Sequence, residues 1–158
     1  MRHDIGIGHI KVAATQGDEI KTYALGSCIA VILYDKKLKI AGMMHIALPD
    51  STVNTEKARS LPGYFADTGL PILLSEFKKL GGELKTTIIK IAGGSNIMDE
   101  NKTFDIGRRN AIAVKRFLWK HRLGVIKEDI GGNISRTVSI DIDTGKVILS
   151  NAKSKWEL

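Results

Sequence analysis

The sequence contains few of the residues that cross-link or interrupt a chain, with one cysteine and three prolines among its 158 residues. A single cysteine excludes an internal disulfide and any zinc site built from several thiolates, and it is typical of a reducing cytoplasm. No apolar run reaches the roughly 20 residues of a membrane-spanning helix. The N-terminus, with Asp4 and several glycines, does not resemble a signal peptide. The sequence therefore predicts a cytoplasmic protein without membrane insertion.

The composition is ordinary for a globular protein, with 43% hydrophobic and 26% charged residues. We predict a single domain over residues 1–150, long enough for a sizeable core, followed by a polar C-terminal tail over 151–158. The net charge of +7 favours acidic partners in general. No strand interleaves aromatic with basic residues, as a nucleic-acid platform requires, so no nucleic acid is expected.

Hydrophobic periodicity predicts strands and two amphipathic helices in alternation. The helices are expected over 64–80, where Pro71 indicates a kink or a later start, and from 107 to the glycine at 124. Residues 50–63 are polar and irregular. Strands are expected over 5–14, 20–25, 29–34, 40–48, 86–92, 125–126, 134–142 and 146–149. This order predicts an α+β fold, an α/β sandwich of mixed sheet or sheets with two main helices packed on it.

The single cysteine, Cys28, follows a flexible pair, Gly26 and Ser27, and precedes an unbroken apolar strand. A thiol at the beginning of a strand lies at the end of its sheet, and the N–H groups of Gly26 and Ser27 are free to hold an oxyanion. The common alternative is that a lone cysteine is a small buried hydrophobic residue.

A predicted hairpin places a base beside this thiol. If its loop is centred between Lys36 and Lys37, His45 lies directly opposite Cys28, where the imidazole can take the thiol proton. A loop longer or shorter by one residue moves His45 to the other face, where it is an ordinary core histidine. Thr22, on the neighbouring strand, has a hydroxyl that can orient the imidazole.

The other histidines, His3, His9 and His121, have no ligand spacing with one another, and we expect neither a metal nor a cofactor.

Several short segments, in this order, resemble the chemoreceptor glutamine deamidases of bacterial chemotaxis, the CheD family. They are Leu25 to Cys28, His45 with Leu48 and Pro49, Lys90 and Ile91 with Gly93 and Gly94, Ile106 and Gly107 with Arg109 and Asn110, and Asp129 with Gly131, Gly132 and Arg136.

The resemblance implies a catalytic cysteine, histidine and threonine at Cys28, His45 and Thr22, on an α/β sandwich shared with bacterial toxin deamidases. It implies that glutamines in the cytoplasmic helical bundle of chemoreceptors are converted to glutamate, and that a CheC-type phosphatase is a partner. The alternative is a non-catalytic adaptor that binds receptors and this phosphatase.

Overall fold

The computed structural model describes residues 1–97 and 104–158, which form two five-stranded sheets packed face to face, with helices on one side. The strands are β1 (Arg2–Ile5), β2 (Ile10–Ala13), β3 (Glu19–Leu25), β4 (Ile29–Asp35), β5 (Ile40–Ile46), β6 (Ile88–Gly93), β7 (Lys127–Ile130), β8 (Arg136–Asp141), β9 (Val147–Ser150) and β10 (Lys155–Glu157). The α-helices are α1 (Thr55–Ser60), α2 (Ala66–Lys79) and α3 (Ile106–Lys120).

Both sheets are mixed. The outer sheet has the strand order β1-β3-β8-β9-β10, and the central sheet has the order β2-β5-β4-β6-β7. Each contains one parallel pair, β1 with β3 and β6 with β7, and its other neighbours are antiparallel. The predicted α+β sandwich of mixed sheets is therefore confirmed.

The central sheet is covered on both faces, which explains the unbroken apolar runs of β4 and β5. Ala30 and Ile32 of β4 face the outer sheet and pack against its core residues. Val31 and Leu33 point the opposite way and pack against α2 and α3. The molecule thus has three layers, outer sheet, central sheet and helices.

Helix α2 begins at Ala66 and continues through Pro71, so the helix does not start at the proline. Its buried side chains, Leu70, Leu73, Leu74 and Phe77, recur at helical spacing and hold it on the central sheet. None of the described helices combines the length and the apolarity needed to cross a membrane.

The predicted first strand is two strands in different sheets. β1 ends at Ile5 in the outer sheet, and β2 begins at Ile10 in the central sheet. The apolar alternation continues across the crossing, so the pattern does not reveal the change of sheet.

Two segments predicted to lack regular structure contain elements. Residues 50–63 hold α1, whose first turn is capped by the Asn54 side chain, which accepts the N–H of Lys57. The 151–158 segment holds β10, which pairs with β9, while the Trp156 indole donates to Asp129. Both elements are short and mostly polar, and hydrophobic periodicity gives no signal for such elements.

Candidate active site

His45 faces Ala30 across the hairpin, so the prediction that it lies directly opposite Cys28 is wrong. The Asp35 side chain accepts the N–H groups of Lys37 and Leu38 and ends β4 at Asp35, which moves the centre of the turn by one residue. The partner of His45 changes by two positions. Since side chains alternate with a period of two, His45 remains on the predicted face.

Cys28 lies one residue before β4 and is half-buried. It packs against the core between the two sheets, the same core that contains Ala30 and Met43. By the alternation along β5, His45 points into this layer as well, because Met43 lies two residues before it. The thiol and the imidazole therefore share one face of the hairpin, in diagonal positions.

Thr22 holds the imidazole from the opposite sheet. It lies on β3, which belongs to the outer sheet, so it reaches His45 across the sandwich and not along a common sheet. The Thr22 Oγ1 lies 2.7 Å from His45 Nδ1 and donates its own hydrogen to the carbonyl of Ile5 at 2.9 Å. Because the hydroxyl has only one hydrogen to donate, it accepts the other bond from a protonated Nδ1.

This tautomer leaves His45 Nε2 without a hydrogen and with its lone pair available. The residue is 3% exposed, and its Nε2 has no hydrogen-bond partner among the described residues. A buried, unpartnered acceptor on an oriented imidazole is the arrangement of a general base that awaits a proton.

The surroundings keep the Cys28 thiol and the His45 imidazole neutral. Burial, and to a lesser extent the electrostatic interaction with His9, lower the pKa of His45 to about 4. Burial likewise raises the pKa of the Cys28 thiol to about 11. At neutral pH the site therefore contains a thiol and an imidazole, without a preformed thiolate and imidazolium pair.

The turn before β4 is held through its carbonyl groups. Three successive carbonyl oxygens accept hydrogen bonds from three different donors: Gly26 from the N–H of Ser95 at 2.8 Å, Ser27 from Asn110 Nδ2 at 2.9 Å, and Cys28 from the N–H of Gly94 at 2.8 Å. Within the part of the chain that the structure describes, the N–H groups of these turn residues donate to no other residue. Those of Gly26 and Ser27 are thus available to hold a developing oxyanion, while the Cys28 N–H interacts with its own thiol.

Gly93 allows the loop that follows β6, which contains Gly94 and Ser95, to approach the turn before β4. It has φ 115°, a conformation that side chains disfavour, and a Cβ there would overlap the carbonyl oxygen of Cys28. Beside the turn lies a cavity of about 210 Å³. It is lined by Gly26, Ser27, Ser95, Asn96, Ile97, Phe104, Ile106 and Gly107. In the described ranges, no three residues among His, Cys, Asp and Glu are grouped to bind a metal ion.

Comparison with known proteins gives the family. The family model described as CheD chemotactic sensory transduction matches residues 47–151. A probable chemoreceptor glutamine deamidase CheD from Syntrophotalea carbinolica is 48% identical to this chain, over 98% of this chain and 97% of the relative. The chain belongs to the CheD family. The chemoreceptor glutamine deamidase CheD of Thermotoga maritima is 42% identical, over 94% of this chain and 91% of the relative.

The resemblance of the motifs to the CheD family is thus confirmed. Two polar residues near the site had no predicted role in its construction: Asn110 and Ser95, which hold the turn before the cysteine. A signal for Asn110 exists in the sequence. Helical periodicity places it on the buried face of α3 with Val114 and Leu118, where an amide is unexpected and needs hydrogen-bond partners.

Proposed function

We propose that this CheD-family protein is a cytoplasmic protein-glutamine deamidase. Its substrates are specific glutamines of bacterial chemoreceptors, the methyl-accepting chemotaxis proteins, and its product is glutamate, in chemotaxis adaptation. The names of the relatives support this activity and substrate. The observation that carries the proposal for this chain is the hydrogen bond between Thr22 and His45, which leaves a buried Nε2 as an available base.

In the proposed reaction, His45 Nε2 takes the proton of the Cys28 thiol as the sulfur attacks the carboxamide carbon of the glutamine. A C–S bond forms, and the carbonyl oxygen becomes an oxyanion that backbone N–H groups near Gly26, Ser27 and Cys28 hold. The imidazolium then gives its proton to the leaving nitrogen, and ammonia departs as the C–N bond breaks.

The second half of the reaction uses the same base. Water loses a proton to His45 Nε2 and attacks the thioester carbon. The C–S bond breaks, the sulfur regains a proton, and a glutamate side chain is released. Thr22 acts in this scheme only through its hydrogen bond to the imidazole, so its effect on the rate is expected to be smaller than that of Cys28 or His45.

Intact-mass measurement tests this proposal. A purified chemoreceptor cytoplasmic fragment incubated with the protein is expected to gain the roughly one-dalton increase of an NH₂ replaced by OH at each converted glutamine. Cys28→Ala and His45→Ala are expected to abolish the gain while circular dichroism shows an intact fold. Conversion that persists in the Cys28→Ala variant would refute the assignment.

A non-catalytic adaptor that binds receptors and a CheC-type phosphatase is the second candidate. The raised pKa of the Cys28 thiol, which lowers the thiolate fraction, is the observation that favours it. The adaptor is expected to bind the receptor fragment and to leave its mass unchanged.

A further inference from the structure

We propose that Asn110 is a positioning residue that fixes the separation between the thiol of Cys28 and the imidazole of His45. The proposal rests on the proposed function, because it concerns the geometry of the same two groups. Asn110 lies on α3 and is 0% exposed. Its hydrogen bonds within the described residues go to the backbone near each reacting group and to neither group itself.

One amide nitrogen joins the two segments that carry the reacting groups. Asn110 Nδ2 donates to the carbonyl of Ser27 at 2.9 Å and to the carbonyl of Ala47 at 3.0 Å. Ser27 immediately precedes Cys28, and Ala47 lies two residues after His45. A shift of either segment therefore stretches one of these two bonds.

The two segments need this link because the strand ladder ends before it reaches them. The last pair of the ladder between β4 and β5 joins Ile29 to Ile46. Beyond that pair the hydrogen bond of Asn110 to the Ala47 carbonyl is buried and the one to the Ser27 carbonyl is partly buried, and both carbonyls need donors. The two hydrogens on Asn110 Nδ2 bind these two carbonyls. They therefore link the ends of β4 and β5 beyond the last backbone pair, Ile29 with Ile46.

The position of α3 places the amide with precision. Gly107 lies against the backbone of Gly94, and a Cβ at Gly107 would overlap the Gly94 carbonyl. This contact sets the first turn of α3 directly on the loop that also holds the Cys28 carbonyl. Asn110 follows three residues later on the same face of the helix.

The amide oxygen of Asn110 shows that packing alone does not explain why an asparagine occupies this position. Asn110 Oδ1 is buried and has no hydrogen-bond partner within the described ranges. An unpaired buried acceptor destabilises the folded protein. A position selected only for packing favours an apolar side chain, as at Val114, one turn further along the same buried face.

Kinetics on a receptor fragment test the proposal with Asn110→Ala and a matched control, Val114→Ala. Both variants truncate a fully buried side chain of α3, but only Asn110 has a side chain that hydrogen-bonds to the turn. Because a misplacement of about 1 Å is enough for a loss of about 10²-fold, N110A is expected to lower kcat by about that factor. Its KM is expected to stay within about twofold, since Asn110 lies outside the substrate contacts. V114A is expected to keep the wild-type kcat when it is assayed under conditions in which it is folded.

Hydrogen exchange tests the same link without activity. The Gly94 N–H binds the Cys28 carbonyl, and the Gly8 N–H binds the His45 carbonyl. Both amides are expected to exchange at least about tenfold faster in N110A than in V114A at equal global stability. If N110A does not fold, Asn110→Ser, which replaces the amide with a shorter side chain bearing one hydroxyl donor, is used for both measurements.

The outcomes separate the two proposals. Wild-type kcat in N110A, or equal exchange in the two variants, overturns the positioning role. An inactive wild-type protein refutes the proposed deamidase, and the exchange comparison then still decides whether Asn110 holds the two segments together.

Discussion

The neutral, buried imidazole of His45 makes the stability of the fold depend on pH, and His45→Gln isolates this dependence. The pKa of His45 is about 4 in the folded protein and 6.5 as the ordinary value. Between these values the unfolded chain binds a proton at this residue and the folded chain does not. Stability from this residue is therefore complete above pH 6.5, and it is lost as the pH falls toward 4.

The magnitude follows from the shift. One unit of pKa corresponds to about 1.4 kcal/mol, so the full contribution is about 3 kcal/mol, most of it lost by about pH 4.5. The residue is 3% exposed, so solvent screening reduces this value little. A loss of this size is a substantial fraction of the 5–15 kcal/mol that stabilises a typical domain.

Urea unfolding at pH 7.5 and at pH 4.5 measures the effect. The wild-type protein is expected to lose about 2–3 kcal/mol more than H45Q between the two conditions, because the variant lacks the titrating group. Met43→Leu, a volume-conserving change two residues away on the same face, is the control and is expected to retain the wild-type pH dependence. Identical pH dependence in the wild type and H45Q would refute a neutral His45.

Three further predictions address the rest of the site. The alkylation rate of Cys28 by iodoacetamide is expected to rise about tenfold per pH unit between about pH 8 and 10; a plateau near neutral pH would contradict the raised thiol pKa. Thr22→Val is expected to lower kcat about tenfold, and Thr22→Ser, which keeps the hydroxyl, by less than about threefold. Equal kcat values in the two variants would show that the hydroxyl has no role in the reaction. Gly17 and Gly93 both have positive φ, but only a Cβ at Gly93 meets backbone. Gly17→Ala is therefore expected to lower the free energy of unfolding by about 1 kcal/mol, and Gly93→Ala by at least about 2 kcal/mol more. Urea unfolding measures both values. Equal losses in the two variants would show that the Cys28 carbonyl leaves room for a side chain at position 93.

The elements that carry the site were predictable because each has a strong local pattern. Strands β4 and β5 are unbroken apolar runs, and α2 and α3 repeat their buried residues at helical spacing. The register between β4 and β5 was not predictable, because it depends on the Asp35 side chain capping the loop and on Lys39 adopting φ 56°. Neither the Asp35 cap nor the positive φ of Lys39 can be inferred from the two lysines, Lys36 and Lys37, at the predicted centre of the loop. The predicted face of His45 is correct because the error is an even number of residues.

The relation between Thr22 and His45 depends on tertiary structure in a way that strand patterns do not express. β3 and β5 are both predicted strands, but their membership of different sheets is decided by the crossing between β1 and β2 and by pairing with β8. The contact joins residues 23 positions apart, through the core of the sandwich. Local patterns predict the strands, and only the packing of two sheets brings the hydroxyl to the imidazole.

The buried core between the sheets has two opposite effects on the proposed chemistry. It keeps His45 unprotonated, so that Nε2 is ready to accept a proton at any pH well above 4. The same burial keeps Cys28 protonated and a weak nucleophile until a carboxamide lies beside it and oxyanion donors stabilise the product of attack. In the proposed reaction, proton transfer and attack are therefore coupled, and the rate depends on the distance from the sulfur to Nε2. That dependence makes the backbone links near the two residues matter as much as the residues themselves.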